Sequence, residues 1–444
     1  MRVTTNFILF LFVSSTILYS CKENNFSTRL LKEAQSLLDN NPKEALLLLD
    51  SIENPQKMNE DDYMQFIVAH VAAKQETRAD ISTEKNIFKA QNYYNAKSDY
   101  KQTAYANYYA AWVDYSNKEL PKSLESFMNA AYYSQKTDDN FLAAKSYNNI
   151  GYIYYQQDLL DSAIVNYKKA LQHFDKLENA DNKILTVYTY IGRAFEESKR
   201  IDSASFYYNK ALNRAIESNN EKFQSYSLQN LGVLFYNMQE YEKAIEYYLS
   251  ALNLAATDKE NVRKMNVGML MIYNKKKNTD LAKQYAELTI ADLPAITNNY
   301  TLKSAYVALS EYYQLTGDYQ KAIQYRDLEK ISQIQIEDEE NAAGLFEADK
   351  NFYLTQKDMV AQEFRMFVIQ CIIGGLLVLG TILFFVISVY RHNKKDEEEI
   401  KGITEKYDLI LGMLRSMNKS DNSGAEIKAI LDEIEKEKSK EGEK

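Results

Sequence analysis

The chain has 444 residues, a formal net charge of −9, and only 13 glycines and four prolines against 36 tyrosines. So few turn residues exclude a sheet-rich fold and point to helix almost throughout. The acidic balance, with no basic stripe beyond short runs such as Lys275-Lys276-Lys277 between two predicted helices, excludes a nucleic-acid surface.

Residues 1–21 read as a targeting segment. Arg2 supplies a positive start, and Phe7–Leu18 is an apolar core too short to span a bilayer. Leu18-Tyr19-Ser20-Cys21 resembles a bacterial lipobox, in which the cysteine is lipid-modified and becomes the first mature residue; the alternative is ordinary secretion. The other cysteine, Cys371, lies in a later apolar run. The stretch between them therefore holds no thiol to mispair in an oxidising compartment.

Over residues 26–330 the chain repeats itself. Ala163, Ala204, Ala244, Ala282 and Ala322 are 41, 40, 38 and 40 residues apart. Gly151, Gly192 and Gly232 precede the first three by twelve residues; Tyr167, Tyr208 and Tyr248 follow by four, and Ala170, Ala211 and Ala251 by seven. Tyr154, Phe195, Phe235, Tyr273 and Tyr313 share one further position, and Leu270 and Ser310 stand where two more glycines are expected. Self-similarity at this period specifies a helical solenoid, whose hairpins bury their apolar faces only by stacking on one another. The small residues mark close helix contacts. Upstream, Ala111, Ser123, Phe127 and Ala130 keep the phase, and looser hairpins fit 62–95 and 28–54, so about eight hairpins are expected.

Tyr147, Ile150, Gly151, Tyr154, Ala163, Tyr167 and Ala170 are similar, position by position, to the tetratricopeptide repeat motif, with the best match over residues 144–255. The resemblance implies an all-α, right-handed solenoid. The period near forty exceeds the family's roughly 34 residues, and the closing proline is absent, which implies lengthened helices. The resemblance also implies a concave groove, lined by the first helix of each hairpin, that takes a peptide or protein partner. The corresponding positions are Tyr105, Tyr108, Trp112 and Tyr115; Lys145, Asn148, Tyr152 and Tyr155; Thr189, Arg193 and Glu196; then Tyr226, Gln229, Tyr236 and Asn237. Rings supply contact area at low entropy cost and amides pair with a ligand backbone. The same rings serve equally as filler between long helices. The family's carboxylate clamp of Lys and Asn is not reproduced.

Residues 331–365 form a linker helix interrupted only by Gly344. In it Leu345, Phe352, Met359 and Met366 recur every seven residues, a stripe suited to pairing onto the last repeat or across a dimer. Met366–Tyr390 is apolar without a charge and long enough to cross a bilayer. Arg391, Lys394 and Lys395 follow at once, so the positive-inside rule puts the tail, 391–444, in the cytoplasm and the repeats in the periplasm. Cys371-x-x-x-Gly375 either lets two spans pack closely or belongs to a plain lipid-facing anchor. In the tail, Ile400, Ile403, Tyr407, Ile410, Leu414 and Met417 make a heptad seam over 397–418, read either as a homodimeric coiled coil or as an amphipathic helix. Ser420–Gly424 breaks it before Ile427, Ile430 and Ile434 begin a second short helix.

No catalytic constellation accompanies this. His70, His173 and His392 are scattered without metal-ligand spacing, and neither a phosphate loop nor G-x-S-x-G occurs, so no enzyme activity, cofactor or metal is expected. The arrangement resembles membrane-bound tetratricopeptide regulators of Bacteroidota, but it lacks room for their DNA-binding helix-turn-helix. The expectation is a non-enzymatic inner-membrane receptor or adaptor. The rivals are a static envelope scaffold that uses the span as an anchor only, and a glycan-capturing outer-membrane lipoprotein, against which the span and the single tryptophan argue.

Overall fold

The computed structural model describes residues 26–97, 99–255, 258–337, 345–417 and parts of 428–436. Cys21 and its targeting segment, Ser420–Gly424, Ile427 and Ile434 lie outside the described residues. Among those described every regular element is a helix. They fall into two units, Met1–Leu354 and Thr355–Lys444.

The first unit is built from one recurring turn. Lys118, Asp138, Asp158, Asn179, Lys199, Asn219 and Gln239 all have positive φ, 20 or 21 residues apart. All but Asn179, which lies five residues beyond the helix that stops at Phe174, end a helix in the left-handed conformation, a role usually given to glycine. In six of the seven the next residue bonds back to the carbonyl five positions earlier, as Glu119 N–H does to Asp114 O (2.9 Å), Leu159 to Tyr154 (2.9 Å) and Arg200 to Phe195 (2.8 Å). This is the Schellman closure, and the same residue is already the N-cap of the following helix. Helices can therefore abut with three residues between them.

Eight hairpins result among the described residues: α1 (26–37) with α2 (Pro42–Asp50), α3 (Glu60–Glu76) with α4 (Ile87–Asn95), α5 (Tyr100–Ser116) with α6 (Leu120–Lys136), and α7 (Asn140–Gln156) with α8 (Leu160–Phe174). Then come α9 (Asp181–Glu197) with α10 (Ile201–Glu217), α11 (Glu221–Asn237) with α12 (Tyr241–Leu254), α13 (Lys259–Lys275) with α14 (Thr279–Asp292), and α15 (Asn299–Thr316) with α16 (Tyr319–Glu337). First helices of 17 residues, as in α5, α7, α9, α11 and α13, account for the period near forty.

The repeated residues pack as the register demands. Ala163, Ala204, Ala244 and Ala282 are fully buried, and Tyr167, Tyr208 and Tyr248 nearly so. The glycines accommodate those tyrosines and not the alanines: a Cβ on Gly151 falls 2.6 Å from the Tyr167 ring, and one on Gly192 falls 2.5 Å from that of Tyr208. Where glycine and alanine are replaced by serine, a hydrogen bond closes the gap. Ser123 Oγ donates to Ala111 O (2.8 Å), and Ser310 Oγ donates to Ala322 O (2.9 Å). A second ladder, of stacked rings twelve residues apart, joins the helices of four hairpins: Phe195–Tyr207, Phe235–Tyr247, Tyr273–Tyr285 and Tyr313–Tyr325. The Lys275-Lys276-Lys277 run closes α13, with Lys275 paired to Glu311 (2.8 Å) and Lys276 to Glu242.

α16 runs to Glu337 with Ser332 and Ile336 buried, and the chain resumes as α17 (Leu345–Met417). Phe352, on the second turn of α17, packs against the core cluster that spans Ile67–Leu234, not the cluster of the last repeats, Ala244–Leu309. Of the stripe suited to the last repeat or to a dimer, Phe352 lies on the body of the array and Met366 is exposed, while the side chains of Leu345 and Met359 lie outside the described residues.

The second unit contains the rest of α17, a helix of 73 residues in all and about 110 Å long. Val360–Met413 includes a stretch long and apolar enough to cross a membrane, with none of it buried. Leu377 and Phe384, 67% and 76% exposed, face outward as a lipid-facing helix requires. Ile400, Ile403, Tyr407 and Ile410 are exposed, whereas Leu411, off the heptad seam, is buried. The side chains of Leu414 and Met417 lie outside the described residues.

Candidate ligand-binding surface

The expected groove residues all lie on the first helices of successive hairpins, α5, α7, α9 and α11. Among α5, α7 and α9 a row of rings runs from helix to helix. Trp112 meets Tyr115 at 5.7 Å between centroids, Tyr115 meets Tyr152 at 6.4 Å, and Tyr152 meets Tyr190 at 6.5 Å. Edge-on and tilted contacts at these distances stabilise aromatic pairs. Tyr152 is exposed, and Trp112, Tyr115, Tyr155 and Tyr190 are half-buried, so the row is anchored from behind while one edge stays open. Burial and neighbouring Glu197 push the Tyr155 hydroxyl up to about 12, so it remains a donor at any ordinary pH.

Other expected positions serve the array itself. Tyr108 is buried, 1% exposed, with its ring against Tyr109 and Phe127 and its hydroxyl accepting from Asn149 (3.2 Å). Thr189 is buried too and donates to Leu185 O (3.0 Å). Neither is an exposed groove group: Tyr108 is enclosed between Phe127 of α6 and Asn149 of α7, and the Thr189 hydroxyl is taken up by its own helix. Tyr105 donates to Asp139 Oδ2 (3.0 Å) and Tyr226 to Asp258 Oδ2 (2.6 Å). The other oxygen of each aspartate caps the first helix of the next hairpin, at Leu142 N–H and Asn261 N–H. These tyrosines therefore fix the register between neighbours. Glu196 accepts from Tyr208 (2.7 Å) and Asn237 (2.7 Å), and burial raises its pKa despite both bonds. Arg193 donates to Asn230 (3.3 Å). Lys145 pairs with Glu76 (2.8 Å) and lies over the rings of Tyr108 and Phe141.

Asn148 and Trp112 differ, for Asn148 Oδ1 and Trp112 Nε1 are buried without a hydrogen-bond partner. Gln229 and Tyr236 are half-buried, and Tyr236 leans on Tyr241 at 6.0 Å. Tyr190 links the row but stands outside the expected set. It lies two residues before Gly192, a position held by asparagine in the neighbouring hairpins (Asn149, Asn230), so the period gave no reason to expect a ring.

The histidines also tie the array together. His70 meets Asp50 (3.0 Å), and His173 meets Asn140 (2.8 Å) while stacking on Tyr147. Among the described residues no group of three or more His, Cys, Asp or Glu is placed to hold a metal.

Residues 142–217 and 225–258 match the tetratricopeptide repeat family. No curated protein is similar in sequence. Among solved structures the chain is similar to the apo form of RapI (TM-score 0.56, 14% identity, over 70% of this chain and 99% of that one). It is also similar to a signal-transduction ATPase with a tetratricopeptide repeat sensor from Pyrococcus horikoshii (TM-score 0.53, 17% identity, over 75% of this chain and 50% of that one). A third similar structure is NprR in complex with its cognate peptide NprX (TM-score 0.49, 16% identity, over 76% of this chain and 99% of that one). The chain carries tetratricopeptide repeats within a tetratricopeptide-like helical solenoid, followed by a long apolar helix.

Proposed function

We propose that the protein is a membrane-anchored receptor or adaptor whose repeat array binds a peptide or protein outside the cytoplasm and passes the event to its tail. The observation that carries this reading is the open-edged aromatic row from Trp112 to Tyr190, on three successive first helices beside unpartnered Asn148 Oδ1. Such rings with a nearby amide suit an extended chain, since ring area supplies affinity and the amide pairs with its backbone. The apolar run Met366–Tyr390 with Arg391, Lys394 and Lys395 after it supports a span with the tail inside, and the lipobox-like Leu18–Cys21 supports a second tether at the other end.

Coupling runs through α17. Phe352 rests on the array core, and the same helix continues without a break through the span to the tail. A ligand that favours one seating of Phe352 over another shifts the pairing of the tail by its difference in affinity for the two states. Ile400, Ile403, Tyr407, Ile410, Leu414 and Met417 form the homodimer seam in this reading.

The test is a pull-down with detergent-solubilised full-length protein beside Tyr152→Ala and Trp112→Phe. Both variants should keep the wild-type melting temperature within a few degrees and lose the captured partner. Retention of that partner by both variants contradicts the reading.

A further inference from the structure

Gln157 closes α7 as its C-cap, and the main chain around it is tied down: its own N–H reaches Tyr154 O, Asp158 N–H reaches Tyr155 O, and Leu159 N–H reaches Tyr154 O. The side chain is 8% exposed, and neither Oε1 nor Nε2 has a hydrogen-bond partner. Asn117, the C-cap of α5, shows what this position ordinarily does. Its amide turns back to donate to Val113 O and to Ser82 O of the preceding hairpin, both at 2.9 Å. Gln157 has one more methylene and makes neither bond, although an unsatisfied buried amide is costly and calls for an explanation.

The side chain lines a cavity of about 400 Å³, within the size range of small-ligand pockets. Tyr155 and Tyr300 contribute rings to its wall, the latter from the start of α15, four hairpins further along the array. Asp158 and Glu197 contribute carboxylates, and no Lys, Arg or His is among the lining residues. Arg193 acts on the Tyr155 hydroxyl from outside that lining.

We infer that this cavity is a subsite for a cationic stretch of extended peptide, with Gln157 pairing to a backbone amide and Asp158 and Glu197 receiving the positive group. A carboxamide offers one acceptor and two donors, the complement of a peptide bond's N–H and C=O. An anionic ligand finds no cation in the lining to receive it, and an apolar one leaves both amide atoms unpaired. The inference rests on the reading of the array as a peptide-binding surface, and it adds a location and a ligand charge.

The experiment is calorimetric titration of full-length protein in detergent with three probes: an acetylated, amidated Ala-Lys-Ala-Lys-Ala peptide, its glutamate counterpart, and the lysine peptide with N-methylated backbone. The lysine peptide should bind and the other two should bind at least tenfold more weakly. Gln157→Leu should weaken the lysine peptide at least tenfold while melting at or above the wild-type temperature, because it removes an unpaired buried amide. Glu197→Gln should weaken it at least threefold. Equal binding of the lysine and glutamate peptides overturns the inference. So does wild-type affinity in Gln157→Leu, which leaves peptide binding by the array intact and refutes only this placement. Absence of binding by all three probes overturns the placement as well, and the broader reading then stands or falls on the pull-down.

Discussion

Gly192→Ala tests the packing logic of the array. An ideal Cβ at this position falls 2.5 Å from Tyr208 Cε1 and 2.6 Å from Cδ1, whereas ordinary contact begins near 3.4 Å. Ring or helix must therefore retreat by about 0.9 Å. Tyr208 has no free direction in which to move: it is fully buried and its hydroxyl donates to Glu196 at 2.7 Å. Overpacking costs about 1–3 kcal/mol, here about 2–3 because Tyr208 cannot yield, and replacing glycine within a helix returns roughly 1 kcal/mol. The expected net loss is about 1–2 kcal/mol, a fall of roughly 2–6 °C in melting temperature followed by far-ultraviolet circular dichroism. The same change at Gly232, whose Cβ falls 3.0 Å from Tyr248, should cost less. At Gly402 in the tail, where a Cβ meets nothing within 4 Å, it should cost nothing. A Gly192→Ala protein as stable as wild type, or a reversed order between Gly192 and Gly232, would refute the reasoning.

Other outcomes follow from single residues. Lys199 holds φ at 60°, so Lys199→Gly should stabilise the array by about 0.5–1 kcal/mol in urea unfolding, the left-handed strain outweighing the entropy cost of glycine. Burial raises the Asp114 carboxyl to about 6, so the stability it contributes is complete below its unfolded value near 3.8 and is lost as pH rises through 6. Asp114→Asn should therefore raise the melting temperature at pH 7–8 and flatten the gain that wild type shows on acidification toward pH 5. The hydrogen bond from Tyr226 holds the Asp258 carboxyl below the usual range, a contribution present at neutral pH and lost on acidification. Tyr226→Phe should cost about 1–2 kcal/mol at pH 7 and remove that part of the acid limb. Deleting residues 396–444 should leave ligand capture unchanged while abolishing any cytoplasmic output; a static scaffold would keep its output.

The Gly-Ala-Tyr ladder was legible in the sequence because steric contact at 2.5–3.0 Å permits so few identities at those positions. The left-handed conformation of most turns was not, since Lys118, Asp138, Asp158, Asn179, Lys199, Asn219 and Gln239 hold it, and among the described residues only Gly317, at the end of α15, is the glycine that usually marks such a site. Gly268 escaped for another reason. Its Cβ would fall 2.7 Å from the ring of Tyr248, a residue of the preceding hairpin, so its position lies two residues off the register where Leu270 stands. The stacked partners Tyr207, Tyr247, Tyr285 and Tyr325 do follow the period, and they are hidden only by the abundance of tyrosine.

The candidate surface was partly legible. Helix periodicity assigns a side but not a depth, which is why Tyr108 and Thr189 turned out to be buried while Tyr152 is open. Nor does spacing reveal where a polar side chain finds its partner. Tyr105 and Tyr226 look like ligand groups until the N-cap of the following hairpin is in place. Gln157 reads as an ordinary turn residue until its unpaired amide and the cavity beside it are seen.

The central claim, that a partner is held along the aromatic row, is tested most directly by site-specific photo-crosslinking in cells. A photoreactive phenylalanine analogue replaces Tyr152 on α7 in one strain and exposed Phe206, on the second helix α10, in another. The account predicts a defined adduct from position 152 that is absent from position 206. The same adduct from both positions, or from position 206 alone, would contradict it.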